Sequence, residues 1–269
     1  MDRLVESLRP RGALEIIDDA AILLRRRFVD FGVLMALAVL PGVLVGLTVG
    51  IEYTANEYGS IDPRILMMRN DGFVDERIIF VQLALSSLGL AVLAYGVTRL
   101  TIAELLGVAM GPRDVLVVSL KALPRIATAW VVVHVIEAVG SLAFGIGGVI
   151  AMVILTVAIP IAAGEPIGVF QIPKRCMELT KGARGRVFTV VVVTGVLSLL
   201  VGLALAATPT FLTEQFLSGR AAAIASIIYQ AFAAMVIAAI TAGAAVHTYI
   251  DLRVRREGLD LDVKLRALA

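Results

Sequence analysis

Long runs without a charged residue constrain the fold of this chain more than any other feature. Residues 31–51, 78–98, 187–213 and 221–250 contain no Asp, Glu, Lys or Arg. A bilayer's hydrocarbon core is about 30 Å thick and a helix rises about 1.5 Å per residue, so about 20 apolar residues cross it. A fifth stretch, 126–164, is interrupted only by Glu137 and is about twice that length. It is expected to form two spans, reversed at "GSLAFGIGG" (140–148), where four glycines supply backbone freedom. Charged residues make up 17% of the chain, well below the roughly 25% of soluble domains.

The expected fold is therefore all-α: a single polytopic membrane domain over 1–269 with six transmembrane helices. These are placed at 31–51, 78–99, 125–141, 146–164, 187–208 and 221–250, with an extracytoplasmic segment at 52–77 and a tail at 251–269. In 52–77, Asp62 and Pro63 suggest the start of a short helix and Gly72 its stop. Of the 24 Lys and Arg residues, all but Arg64, Arg69, Arg77 and Arg220 fall on one side of this arrangement. The positive-inside bias then puts both termini in the cytoplasm, at the cell membrane. The single cysteine, Cys176, excludes an internal disulfide.

Before the first span, 10–29 reads as an amphipathic interfacial helix with Leu14, Ile17, Ala21, Leu24 and Phe28 on one stripe. Short basic segments also precede the third and fifth spans, "GPRDVLVVSLKALPRI" and "IPKRCMELTKGARGRVF". The chain reads as three parallel copies of interfacial helix plus hairpin, about 10–103, 110–164 and 166–256, or as a chain whose inner ends are basic for topological reasons alone. Arg25, Arg26, Arg27, Lys174, Arg175, Arg253, Arg255 and Arg256 are candidate contacts for anionic lipid headgroups.

Gly42, Gly46 and Gly50 recur every four residues in the first span, a groove for close helix approach. Ala231, Ala234, Ala238, Ala242 and Ala245 offer a matching surface on the sixth, and Gly195, Ser198 and Gly202 one on the fifth. Pro41 and Pro160 are expected to kink their spans.

One helix face carries the chemistry inside the apolar spans. Trp130, His134, Glu137 and Ser141 follow at steps of three or four, with Gln82, Ser86 and Ser87 of the second span as candidate neighbours. An ionised carboxylate at mid-span costs at least about 2.5–3.5 kcal/mol, so Glu137 must be paired, solvated or protonated, with His134 as its expected local partner. The cluster is either a proton-coupling or ligand site, or a packing pair that fixes helix register. With two histidines there is no metal-ligand set, no cofactor is implied, and neither a phosphate loop nor a nucleophile elbow is present. An enzyme is not expected, and nothing points to nucleic acid.

Past the last span, Gly258 is a candidate helix stop, and Leu259, Leu261, Val263 and Leu265 alternate with charges as in an extended docking strand. Three segments, "ALEIIDDAAILLRRRFVDFGVLMALAVLPGVLVG", "EPIGVFQIPKRCMELTKGARGRVFTVVVV" and "YIDLRVRREGLDLDV", resemble a bacterial family common in actinobacteria. That family is the membrane domain associated with glycerophosphoryl diester phosphodiesterases. The resemblance implies a six-helix membrane module without the catalytic domain; "KGARGRVF" departs from it in having fewer aromatics. Two functions remain open: a non-catalytic module that scaffolds or regulates a protein partner through its cytoplasmic face or tail, and a small permease or lipid-handling protein using the His134/Glu137 site.

Overall fold

A computed structural model describes residues 10–54, 76–142, 144–216 and 219–259, and among these it is helical, with no strand. The helices are α1 (Ala13–Arg26), α2 (Phe28–Thr54), α3 (Glu76–Leu105), α4 (Pro112–Lys121), α5 (Leu123–Ser141), α6 (Ile146–Leu155), α7 (Ala158–Gly164), α8 (Ile172–Thr180), α9 (Arg184–Phe216) and α10 (Gly219–Glu257). Five segments are long and apolar enough to cross a membrane: Ala84–Leu105, Leu123–Ser141, Ile146–Gly164, Arg184–Ala204 and Ala231–Glu257. They are compatible with a multi-pass membrane protein. The expected first span falls in α2, where Phe28–Pro41 is a shorter apolar stretch.

Local chemistry sets several boundaries. At the start of α1 the Glu15 carboxylate accepts the Gly12 amide proton at 2.9 Å, and at the start of α4 Asp114 does the same for Gly111 at 3.1 Å. An acid three residues after a glycine thus satisfies a free amide at both helix starts. Pro160 has no N–H for the carbonyl of Thr156, and the helix breaks at Thr156–Val157 into α6 and α7. Pro41 lies inside an unbroken α2. α10 continues past the expected end of the last span, through the charged residues to Glu257, and Gly258 closes it with φ +62°.

The α5/α6 reversal uses its glycines unequally. Gly145 adopts φ +77°, whereas Gly140 and Gly147 let two backbones touch: a Cβ on Gly140 would sit 2.9 Å from the Gly147 carbonyl carbon. α2, α3 and the second half of α10 pack on one another around Phe31, Leu34, Leu93, Val97, Ala242 and Val246. Gly89 makes the α2/α3 approach close, since a Cβ there would overlap the backbone oxygen of Ala38.

One packing expectation needs correction, on α9. On α1, Ile16, Ala20 and Leu23 are buried against the protein, while Leu14 and Phe28 of the expected interfacial stripe are exposed on its surface. Ala20 lies against Gly243, where a Cβ would come within 2.7 Å of the alanine methyl, so α1 seats on α10 through small residues. On α9, Gly195 has nothing within 4 Å of an added Cβ, so it borders open space instead of a neighbouring helix; Gly202 makes ordinary contact with Ile237 at 3.5 Å. Of the alanine surface on α10, Ala242 is buried and Ala234 exposed. The side chains of Gln82 and the positions of Gly42, Gly46 and Gly50 relative to neighbours lie outside what is described, as do the expected helix within 52–77 and the alternating tail beyond Leu259.

Candidate functional site

α3 and α5 meet through a closed polar circuit. The Trp130 indole N–H donates to Ser87 Oγ at 2.8 Å, and Ser87 Oγ lies 3.0 Å from His134 Nε2. His134 Nδ1 is 2.9 Å from the Trp130 carbonyl oxygen, and the two rings stack at 4.6 Å with a tilt of 36°. A carbonyl only accepts, so Nδ1 carries the proton. Ser87, which accepts from Trp130, closes the circuit at Nε2, since a hydroxyl both donates and accepts.

That circuit separates His134 from its expected partner. Both ring nitrogens are engaged elsewhere, so the imidazole does not hydrogen-bond the Glu137 carboxylate. Ser141 donates to the Glu137 backbone oxygen at 2.8 Å, leaving it too without a bond to the carboxylate, and Ser86 is exposed. Ser87, one of three neighbours offered by the sequence, makes the contact.

Glu137 lines a cavity of about 440 Å³ bounded by α3, α5, α6, α7, α9 and α10. The wall is chiefly apolar, with Leu90, Val133, Leu155, Ile159, Val191 and Ile237 on it, and it reaches the surface along α5, where His134 is exposed. No Lys or Arg is among the described residues that line it. Two of its hydroxyls, Thr194 Oγ1 and Ser198 Oγ on α9, are buried with no hydrogen-bond partner among the described residues. Thr241 and Thr248, on the facing wall of α10, instead donate to carbonyls one turn back at 2.9 and 2.6 Å. That back-bond is the usual way a helix satisfies such a hydroxyl. Without it, the oxygens of Thr194 and Ser198 lie buried in the wall with no partner among the described residues.

These polar groups share a level. Ser87 stands twelve positions from Arg99 on α3, Glu137 twelve from Arg125 on α5, and Ser198 twelve from Arg186 on α9. At the helical rise this is about 18 Å from an arginine layer at one end of the bundle.

The arginine end has a different organisation, largely missed from the sequence. Asp251, 2% exposed, accepts the Arg11 amide at 2.7 Å and Arg255 Nε at 3.0 and 2.9 Å, with Arg186 at 3.8 Å. Arg11 also pairs with Asp19 at 2.7 Å and donates to His247 Nδ1 at 3.0 Å. Glu165 accepts two bonds from Arg175 at 2.7 and 3.1 Å and one from the Tyr249 hydroxyl at 3.2 Å. Arg175 continues to Glu257, which Arg253 also reaches at 2.8 Å. Arg125 donates to the carbonyls of Ala162, Glu165 and Ile167 at 2.9, 3.0 and 2.8 Å, closing the end of α7. The bonds to Glu165 push the Arg175 pKa up, and burial beside Glu165 pushes the Cys176 thiol up to about 12.

Several expected headgroup contacts are consequently engaged within the chain. Arg175, Arg253 and Arg255 hold carboxylates, Arg256 donates to the Lys181 carbonyl, and Arg27 reaches Asp30 at 3.4 Å. Arg25 and Arg26 are exposed, as is Lys174, 4.0 Å from Glu178. The signal for the network was readable: His247, Asp251 and Arg255 form one ladder at four-residue steps, and Tyr249, Arg253 and Glu257 another.

Among the described residues no cluster of His, Cys, Asp or Glu is arranged to hold a metal ion. Compared with protein-family models, curated proteins and solved structures, the chain matches none. Among the described residues, fold and site define an all-helical protein with five apolar segments of membrane-crossing length and a chiefly apolar cavity that carries a few polar groups.

Proposed function

We propose that this protein is a non-catalytic, six-span membrane module that takes an apolar or amphipathic molecule from the bilayer into its cavity, a lipid-handling role. The observation that carries this is the cavity of about 440 Å³, whose chiefly apolar wall carries Glu137, with the hydroxyls of Thr194 and Ser198 buried in that wall without partners among the described residues. Ligand sites have this character: a mostly apolar wall of a few hundred Å³ with a few polar groups to orient the occupant. With the arginine layer at the headgroup boundary, the polar level about 18 Å further on lies a little past the middle of about 30 Å of hydrocarbon. An occupant would enter from lipid along the surface of α5.

α2 supplies the sixth span in this proposal, and the arginine end faces the cytoplasm of a bacterial cell, with both termini there. The order of a short helix and two apolar segments recurs from α1, α4 and α8, the second segment of the middle set being broken into α6 and α7, and α1 and α4, though not α8, share a glycine–acid start; the recurrence favours three copies of one unit. The family resemblance of the three quoted segments accords with such a module. A scaffolding role through the basic face has less support, because Arg175, Arg253, Arg255 and Arg256 are engaged within the chain.

Native mass spectrometry of protein released from lipid nanodiscs tests the proposal. The wild type is expected to keep one lipid-sized adduct, and Gly195→Phe, which fills open space at the cavity wall, to lose it. A wild type without adduct, or equal adducts on both proteins, would contradict it.

A further inference from the structure

Resting on that cavity-binding function, we infer that the occupant is a lipophilic amine, held as its ammonium ion by Glu137, Thr194 and Ser198. Four observations lead to this class of ligand. Glu137 is the acid among the cavity-lining residues, and no Lys or Arg among the described lining residues balances it. His134 cannot do so through a hydrogen bond, because Nδ1 faces the Trp130 carbonyl and Nε2 faces Ser87. Thr194, 6% exposed, and Ser198 line the cavity and hold hydroxyl oxygens buried in its wall with no partner among the described residues. Glu137 and Ser198 lie at one level, twelve positions beyond Arg125 and Arg186 on helices α5 and α9.

The chemistry of the free groups matches a primary ammonium. Such a head has three N–H donors and no acceptor. On the cavity wall the Glu137 carboxylate is an acceptor for such a head, and the hydroxyls of Thr194 and Ser198, whose residues also line it, accept once they turn out of the wall. A carboxylate or phosphate head would instead meet Glu137 with like charge and no cation. An alcohol head satisfies part of the set and leaves the charge of Glu137 unbalanced in an apolar wall, where pairing matters most. The alkyl part of the amine is left to the apolar wall of Leu90, Val133, Leu155 and Val191.

Three probes with one alkyl chain test the assignment: dodecylamine, dodecanol and dodecanoate, each below its micelle concentration, titrated into the protein in zwitterionic nanodiscs and followed by thermal shift and competition. The amine is expected to bind about tenfold or more tightly than the alcohol, the range of a hydrogen bond to a charged group, and dodecanoate more weakly than either. Glu137→Gln should bring amine and alcohol to similar affinity, and Ser198→Ala should narrow the difference in part. An amine that binds no better than the alcohol, or a preference that survives Glu137→Gln, would overturn the amine assignment while leaving the cavity function standing. If none of the three binds the wild type better than Gly195→Phe, the cavity function itself fails and the amine assignment with it.

Discussion

The arginine end and the cavity level lie about 18 Å apart on the same helices and treat polar groups in opposite ways. At the arginine end, buried carboxylates are surrounded: Asp251 by Arg11, Arg255 and Arg186, and Glu165 by Arg175 and Tyr249. At the cavity level the Glu137 carboxylate has no Lys or Arg beside it among the described lining residues, and the hydroxyls of Thr194 and Ser198 lie in the wall without partners among the described residues. Breaking a buried charge set is strongly destabilising, so the first region holds α1, α8 and α10 together. Groups left unsatisfied in the fold are available to a ligand, so the second can exchange partners.

The sharpest way to break this contrast is Asp251→Ala. It removes the buried acceptor of the Arg11 amide and of Arg255, whose exposed guanidinium keeps its bond to the Arg11 carbonyl, and a loss of about 3 kcal/mol is expected in reversible unfolding from mild detergent. A loss as small as a surface pair's would remove the structural role of the arginine end. Gly89→Ala comes next: its Cβ would overlap the Ala38 backbone oxygen, and overpacking of about 1–3 kcal/mol should appear in the same assay.

Ser87→Ala opens the Trp130–Ser87–His134 circuit. Polar contacts inside membranes average about 0.6 kcal/mol and reach about 1.7 kcal/mol, and a loss in that range is expected, together with a shifted indole N–H resonance for Trp130, the sole tryptophan. An unchanged indole signal would deny the circuit. The smallest effect belongs to Gly195→Ala, which enters open space and should change stability by no more than about 0.5 kcal/mol. Cys176 gives a readout without mutation: with its thiol buried and its pKa pushed up to about 12, it should resist maleimide at pH 8 until the protein unfolds.

The helical class was legible because charge-free length is a direct demand of lipid, and the α5/α6 reversal because glycines cluster there. What the glycines do was less legible: Gly145 needs a left-handed φ, whereas Gly140 and Gly147 serve contact between backbones, and spacing does not distinguish the two. The interfacial stripe of α1 was legible from its spacing, but the face that seats on α10 was not, because the small residues Ala20 and Gly243 that set that contact lie on two helices far apart in the chain.

At the candidate site, helical periodicity brought Trp130, His134 and Glu137 to one face, but not the direction of their hydrogen bonds. A histidine one turn from a glutamate invites pairing on paper; Ser87 and the Trp130 carbonyl take both nitrogens instead. Thr194 and Ser198 carried no signal, since a Ser or Thr on an apolar helix ordinarily bonds its own backbone. The ladders on α10 were visible at four-residue steps, yet the same arginines also fit a positive-inside anchor, and composition does not separate an exposed arginine from one matched to a carboxylate on another helix.

Photolabelling in native-like bilayers tests the central claim most directly. An alkylamine with a mid-chain diazirine would be irradiated with the protein in nanodiscs and the modified residues mapped by peptide mass spectrometry. Labels concentrated on Val133, Leu155 and Val191, at the cavity wall, and suppressed by Gly195→Phe are the predicted result. Labels confined to the outward-facing Val139, Leu200 and Leu203, unchanged by that substitution, would contradict the account.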